Sequence, residues 1–326
     1  MKALITGGAG FIGSHLSELL LAHGHSVTVV DNLVTGQAAN LQHLADHPRL
    51  EIINDTVLNE ERMRPLVPRH DVVFHLAAAV GVRWIIENPL LSIHTNIRAT
   101  EVVLEAAAPT GTRVLIASTS EVYGKNDKSS LSEDDDSVIG STQITRWLYA
   151  NTKATDEFLA LAYHRDRNLP VVIVRFFNTV GPRQTGRYGM VVPRFVRQAL
   201  ADEPITVHGD GTQTRCFTDV RDSVRAVTEL AQLPEASGEV FNIGNPREIT
   251  IRGLAELIVS MTGSRSEICL VPYSDAYPAG FEDMRRRVPC VDKLQKFLGW
   301  SPGISLEENL ARIIDHVRSE MAVGVG

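Results

Sequence analysis

Cysteine is scarce in this chain, with three in 326 residues, Cys216, Cys269 and Cys290, all far apart. They are too few and too scattered for a disulfide framework, and no Cys-x-x-Cys pair offers a metal site. A reducing cytoplasm and a metal-free chemistry are therefore expected. Long apolar runs are missing as well: none approaches the roughly 20 residues that span a bilayer, and the strand-like run in 1–7 is too short for the core of a signal peptide. Positive charge is not in excess. With 32 Lys and Arg against 39 Asp and Glu, the net charge is −7, which leaves no basic footprint for nucleic acid or an anionic membrane. What is present is an ordinary globular mixture, 44% hydrophobic and 22% charged, long enough for one large or two modest domains. Together these exclusions direct attention to a small-molecule site.

Short β-rich apolar runs alternate with amphipathic stretches: 3–5, 12–22, 27–30, 52–53, 72–75, 84–108, 114–117, a helix around 145–165 and a strand at 171–174. Repeated βαβ units of this kind predict an α/β fold of Rossmann type, a doubly wound parallel sheet with helices on both faces. After Asn178 the rhythm breaks into loops with Gly-Pro, Gly-Asp-Gly and Asn-Pro punctuation around shorter helices near 193–201, 220–233, 254–261 and 306–318. Residues 1–178 are thus expected to form the dinucleotide-binding domain and 179–326 a smaller α/β lobe that closes a cleft and possibly returns a strand to the sheet. There is no internal repeat. The acidic run 133–136 reads as a solvated loop.

Gly7-Gly8-Ala9-Gly10-Phe11-Ile12-Gly13 follows one predicted strand and opens a helix. Glycines there let backbone approach a pyrophosphate, and the helix N-terminus offers free N–H groups and the positive end of its dipole. Asp31 ends the second strand about 20 residues further on, where a carboxylate accepts hydrogen bonds from ribose hydroxyls. Its neighbours are Asn32 and Leu33 rather than arginine, so a 2′-phosphate would meet uncompensated negative charge, and NAD is favoured over NADP. Asp55, after the third strand, is placed to meet the adenine or simply to close a turn.

Tyr149-Ala150-Asn151-Thr152-Lys153 sets a phenol and an ammonium one turn apart on a helix face. An ammonium nearby favours phenolate, which would let the tyrosine exchange a proton with a substrate hydroxyl while hydride moves. Ser118-Thr119-Ser120 supplies hydroxyls at a strand end, at the sheet edge where ligands bind.

The Gly-x-x-Gly-x-x-Gly spacing and these hydroxyls, with Arg175-Phe176-Phe177-Asn178, Gly181-Pro182-Arg183, Gly209-Asp210-Gly211 and Asn242-Ile243-Gly244, resemble the extended short-chain dehydrogenases/reductases, the NAD-dependent epimerase/dehydratase family, over essentially the whole chain. The resemblance implies an enzyme acting on a nucleotide sugar with NAD, and Thr119, Tyr149 and Lys153 as its catalytic triad. It further implies cofactor contacts from Gly7, Gly10, Phe11, Ile12, Gly13, Asp31, Asn32, Thr35, Gly36 and Asp55, and from Leu76, Ala77, Ala78, Asn96, Ser118 and Phe176 beside Tyr149 and Lys153. Arg83, Asn178, Val192, Arg194, Arg215 and Arg287 would meet the UDP-sugar. A homodimer built on the helices 84–108 and 145–165 is expected by resemblance alone.

Within the family, Ser118-Thr119-Ser120-Glu121-Val122-Tyr123-Gly124, Arg146-Trp147-Leu148-Tyr149, the run 215–222 and the run 281–289 are closest to the UDP-glucuronate decarboxylases, especially the decarboxylase domain of the bifunctional enzyme of 4-amino-4-deoxyarabinose lipid A modification. On that likeness Glu121, Ser120 and Arg287 join the triad, and Arg194 and Arg215 serve the diphosphate. The expected reaction is oxidation at the sugar C4 followed by loss of the C5 carboxylate, giving a UDP-pentose or UDP-4-ketopentose. Departures occur at Phe281, Arg286 and Thr152. Glu121 is equally a carboxylate that pairs with an arginine for structure. Alternatives are a 4-epimerase of a UDP-uronate or UDP-hexose, to which Arg83 in Val80-Gly81-Val82-Arg83 points unless it is a plain surface arginine, a 4,6-dehydratase, and a silent NAD-binding scaffold.

Overall fold

The computed structural model describes residues 1–186, 190–276, 282, 284 and 286–324, apart from the side chains of Val82, Arg83 and Val323. Seven parallel strands form the central sheet: β1 (Lys2–Thr6), β2 (Ser26–Asp31), β3 (Leu50–Asn54), β4 (Val72–His75), β5 (Arg113–Thr119), β6 (Val171–Phe176) and the strand Glu239–Ile243. Their spatial order is Glu239–Ile243, β6, β5, β4, β1, β2, β3. The direction of winding reverses between β1 and β4, and a crevice opens beyond the strand ends at that point, where open α/β sheets take their ligands.

Strand periodicity explains why both faces are covered. Ile5, Val29, Phe74, Leu115, Val172 and Val174 point to one face, under α1 (Phe11–Ala22) and the helix Val220–Gln232. Leu4, Val30, Val73, Val114, Ile116, Val171 and Ile173 point to the other, against Val102, Val103 and Ala160. Successive residues of one strand feed opposite layers, and the near-continuous apolar runs of a doubly covered parallel sheet follow. A third core of Val192, Phe195, Val207, Leu254, Ile258, Leu310 and Ile314 holds the smaller lobe together. Its frame is the helices Val191–Leu200, Ile251–Thr262 and Leu306–Val323.

Two elements differ from the expected outlines. The stretch 84–108 is not one helix but Val82–Glu87, Pro89–Ile93, a π-turn at His94–Arg98 and then Ala99–Ala107. Pro89 has no N–H to give and holds Asn88 out of the helical region, at φ −132° and ψ 57°. The expected helix 145–165 opens with a 3-10 turn, Thr145–Trp147, and continues as Leu148–Arg167 until left-handed Asn168 stops it. Beyond residue 178 the chain returns to the first layer: Val220–Gln232 packs on α1, and Glu239–Ile243 pairs with β6. No helix among the described residues is long and apolar enough to cross a membrane.

One asparagine ties three distant segments to that returning strand. Asn242 Oδ1 accepts from the Tyr123 hydroxyl at 2.7 Å, and its Nδ2 donates to Leu131 O at 2.9 Å and Cys290 O at 3.2 Å. Leu131 in turn exchanges backbone hydrogen bonds with Val288 and Cys290, so the knot fixes the chain next to Arg287. Asn242→Ala would leave a buried hydroxyl and two carbonyls without these partners. A loss of about 3 kcal/mol is expected, read as a lower urea midpoint with unchanged m-value.

Candidate active site

The dinucleotide turn is built by contacts that tolerate no side chain. Gly7 has φ +73°, and a Cβ on it would stand 2.8 Å from Ala77 N; a Cβ on Gly13 would stand 2.3 Å from Gly7 O. The turn therefore packs α1 directly on its own backbone. Gly10 caps α1 without a side-chain bond, which leaves the N–H groups of the first turn open to an anion. Gly7, Gly10, Phe11, Ile12 and Gly13 all line one cavity of about 600 Å³.

Asp31 stands at the far side of the turn. Its Oδ2 accepts from Ala9 N at 2.9 Å and its Oδ1 from Leu33 N at 2.8 Å. Burial pushes its carboxyl above the ordinary value, with those two N–H groups working against the shift. Asn32, Thr35, Gly36 and Asp55 line the cavity next to it. Asp55 also closes its own turn, accepting from Thr56 N and from Asn59 Nδ2. Leu76, Ala77, Ala78, Ser118 and Phe176 continue the lining. Asn96 does not line it: it supports the loop from behind, accepting from Ala79 N at 2.7 Å and donating to Thr152 Oγ1 at 3.2 Å.

A cradle that a Cβ would fill, an open helix N-terminus and a carboxylate about one nucleoside away fit a dinucleotide. These residues would hold NAD, with no arginine at positions 32–36 to favour a 2′-phosphate.

At the other end of the crevice Thr119, Ser120, Glu121 and Tyr149 line the same cavity with Asn178 and Arg287. Thr119 ends β5, and its Oγ1 caps the next turn by accepting from Glu121 N at 3.3 Å. Glu121 is gripped by two guanidinium groups. Arg146 Nη1 and Nη2 reach its two oxygens at 2.5 and 3.0 Å, and Arg287 Nη1 stands 3.6 Å away. Burial alone would raise the Glu121 carboxyl, but Arg146 and then Arg287 outweigh it and hold the group below the ordinary value. Glu121 is thus an ionised acceptor, not an acid. Arg287 also donates to Ser120 Oγ at 3.4 Å and to Asn178 Oδ1 at 3.2 Å, so the expected cluster of Ser120, Glu121, Asn178 and Arg287 does meet.

Tyr149 departs from expectation in its electrostatics. Desolvation, then the charges of Glu121 and Asp156, push its phenol well above the ordinary value, and Arg146 opposes them. Lys153 lies beneath the cavity rather than on its wall, and its Nζ is bonded to Asp156 Oδ2 at 2.7 Å. Spacing alone placed the ammonium beside the phenol but did not show the carboxylate that engages it.

Val192, Arg194 and Arg215 line the end of the cavity formed by the smaller lobe. Arg215 donates to Thr214 O, and Arg194 Nη1 meets His208 Nε2 at 2.6 Å. Burial and then Arg194 bring the His208 pKa down to about 4, so this imidazole stays neutral and accepts. The side chain of Arg83 lies outside the described residues, as do Phe281, Asp283 and Arg285 of the run 281–289. Among the described residues, no group of three or more His, Cys, Asp and Glu side chains is arranged to hold a metal ion.

Sequence reasoning passed over the parts that three residues play in this site. On the sequence Arg146, three residues before the tyrosine, is one of three arginines that could meet a substrate carboxylate, with Arg83 and Arg287, but it is not marked as the partner of Glu121. Asp156 falls three after the lysine, on the same helical face. His208 precedes the Gly-Asp-Gly turn.

A dinucleotide cradle and a tyrosine-lysine helix sharing one cavity define a dinucleotide-dependent enzyme. The family model described as "NAD dependent epimerase/dehydratase family" matches residues 3–244. A UDP-N-acetyl-alpha-D-glucosaminuronate decarboxylase of Bacillus cytotoxicus is 45% identical over 97% of this chain and 98% of its own. UDP-glucuronic acid decarboxylase 1 of Danio rerio is 38% identical over 98% of this chain and 73% of its own. A solved UDP-glucuronic acid 4-epimerase of Bacillus cereus, in complex with UDP-glucuronic acid and NAD, superposes with a TM-score of 0.88 at 31% identity, over 98% of this chain and 99% of that one. The chain belongs to the NAD-dependent epimerase/dehydratase family. It is an enzyme of that family, and NAD is its cofactor.

Arg146 and Glu121 side chains are 5% and 13% exposed, so Arg146→Met is expected to cost about 3 kcal/mol by leaving the carboxylate with Arg287 alone. Because the Glu121 pKa is depressed in the fold, the stabilisation is present above the ordinary value of 4.5 and is lost as pH falls through the depressed one. Urea titrations of both proteins should converge at acid pH.

Proposed function

We propose that this enzyme oxidatively decarboxylates a UDP-hexuronate of the UDP-glucuronate type through a 4-keto intermediate. The observation that carries this is the Arg146–Glu121–Arg287 cluster in the cavity that Tyr149 also lines. Three charges of alternating sign fit a sugar that brings a carboxylate of its own. The names of the two relatives support the same chemistry.

In this reading Thr119 and Tyr149 hydrogen-bond the sugar C4 oxygen, and Tyr149 takes its proton as the carbonyl forms. NAD held in the dinucleotide cradle would supply the hydride acceptor and a positive charge that favours phenolate. The ketone stands β to the C5 carboxylate, so the C5–carboxyl bond breaks with its electron pair delocalised into an enolate. Thr119 and Tyr149 then stabilise the enolate oxygen. Arg287 holds the carboxylate before it leaves, and ionised Glu121 accepts from sugar hydroxyls and keeps Arg287 aligned. A proton returns to C5, after which the 4-ketopentose is released or reduced. Arg194 and Arg215 take the diphosphate at the smaller lobe.

The second reading, 4-epimerisation of a UDP-uronate, rests on the likeness to the solved epimerase. We further infer a homodimer. Phe158 on Leu148–Arg167 is 72% exposed and Leu90 on the adjacent helix Pro89–Ile93 is 73% exposed, which is costly for large apolar side chains left in water. Three free thiols and the acidic net charge suit a reducing cytoplasm without nucleic acid partners.

Two measurements test these points. Purified protein is incubated with NAD and either UDP-glucuronate or UDP-N-acetylglucosaminuronate, following product mass and NADH absorbance together. Loss of carbon dioxide is expected, with NADH if a ketopentose leaves and without it if a UDP-pentose forms. An unchanged mass with a new UDP-uronate isomer would establish the epimerase instead. Tyr149→Phe should lower turnover about 10²- to 10⁴-fold with the fold intact. In sedimentation, Phe158→Glu should shift a dimer to monomer, and an unaffected dimer would refute this interface.

A further inference from the structure

Lys153 and Asp156 form an ion pair sealed beneath the cavity floor. Nζ to Oδ2 is 2.7 Å, and the two side chains are 2% and 0% exposed. They lie three residues apart on the buried face of Leu148–Arg167, Lys153 about one turn and Asp156 about two turns beyond Tyr149. Taking two charges out of water is tolerated only when each closely meets the other. Burial raises the Asp156 carboxyl, and Lys153 first and then the neighbouring Thr100 hydroxyl act against that rise. The Thr100 hydroxyl also meets Asn96 O and His75 Nε2.

The other charged groups around the phenol are already committed. On the same helix Glu157 gives both oxygens to Arg175 of β6. Glu121, after β5, is held by Arg146 of the turn Thr145–Trp147, with Arg287 beside it. His75 of β4 is wholly buried, bonded to Thr6 and Thr100, and kept neutral by burial and by Lys153. Asp156 is the carboxylate whose ion pair is with the catalytic lysine itself.

We propose that Asp156 is a positioning residue for the Tyr149–Lys153 pair: it fixes the ammonium from below and offsets its charge, and so sets the pH range over which Tyr149 exchanges a proton. This rests on the proton-transfer role given to Tyr149 above. Its sign follows from charge alone. The Asp156 charge is one of those that raise the phenol, after burial and Glu121, so removing it favours phenolate and the acid limb of kcat/KM moves to lower pH.

The test uses NAD-loaded enzyme with UDP-glucuronate. Asp156→Asn keeps the shape and an acceptor for Lys153 but removes the charge, and is expected to move the acid limb down by about one pH unit with an unchanged KM for the sugar. Asp156→Glu restores the charge and should return the limb to its native place. Asp156→Ala, which leaves Lys153 unheld, should also weaken NAD binding about fivefold, the loss of about one net hydrogen bond from Lys153, measured by quenching of tryptophan fluorescence. A native pH profile and native NAD affinity in folded Asn and Ala variants, with only the melting temperature lowered, would overturn the proposal. Should Asp156→Asn not fold, Asp156→Ser carries the same comparison. Tyr149→Phe separates the two levels: if it remains active, the tyrosine role itself fails, and if it is inactive while Asp156→Asn behaves as native, only the role of Asp156 fails.

Discussion

The buried polar face of the helix Leu148–Arg167 is the constraint on which the rest of the site depends. Thr152, Lys153, Asp156 and Glu157 are all turned inward against the sheet, where an unpaired charge costs several kcal/mol. Each therefore has a matched position. Thr152 meets Asn96, Lys153 meets Asp156, and Glu157 meets Arg175 and Ser118. Rotating the helix by one residue would take these groups out of reach of their partners. The pairing thus sets the rotation and register of the helix, and with them the direction in which Tyr149 enters the cavity.

The same pairs reach outward to the dinucleotide end. Asn96 spans from Thr152 to Ala79 N, so the helix that orients the phenol also holds the loop after β4 against the cavity. That loop packs so closely on Gly7 that no side chain fits between them. The π-turn at His94–Arg98, which follows the break at Pro89, carries Asn96 at this spot. A widened helical turn is a common device for aiming one residue at a functional site. Turn, loop and tyrosine helix are thus tied together by these contacts.

Local chemistry was legible in the sequence because it is written at fixed short offsets. The strand-turn-helix glycines, Asp31 at a strand end and the Tyr149–Lys153 spacing each need only the helical and strand periods to be interpreted. Glu121 stood out as a carboxylate beside Thr119, but its partner Arg146 lies 25 residues away, and pairing at that distance depends on how β5 and the tyrosine helix pack. The phenol behaves differently from what Lys153 alone suggests because burial raises it first, the fields of Glu121 and Asp156 from different segments then add to that, and Arg146 opposes them. The unbroken helix expected at 84–108 failed at one proline, where apolar periodicity continues and hydrogen bonding does not. Asn96 illustrates the same limit: its residue type fits a cofactor contact, and only the fold shows it bracing the loop from behind.

Charge counting across the cluster explains why an enzyme of this kind keeps two arginines on one glutamate. Glu121, Arg146 and Arg287 together carry a single excess positive charge, which matches the one carboxylate of the proposed substrate. A lone arginine facing that carboxylate would bind it tightly and hold it back from leaving, since ground-state binding that is lost in the transition state slows the step. Sharing Arg287 with Glu121, at 3.6 Å, weakens that grip while the geometry stays fixed by Ser120 and Asn178. As carbon dioxide departs, negative charge moves from the carboxylate towards the C4 oxygen beside Thr119 and Tyr149. A high phenol pKa then becomes useful, because a protonated Tyr149 is the donor that an enolate oxygen requires.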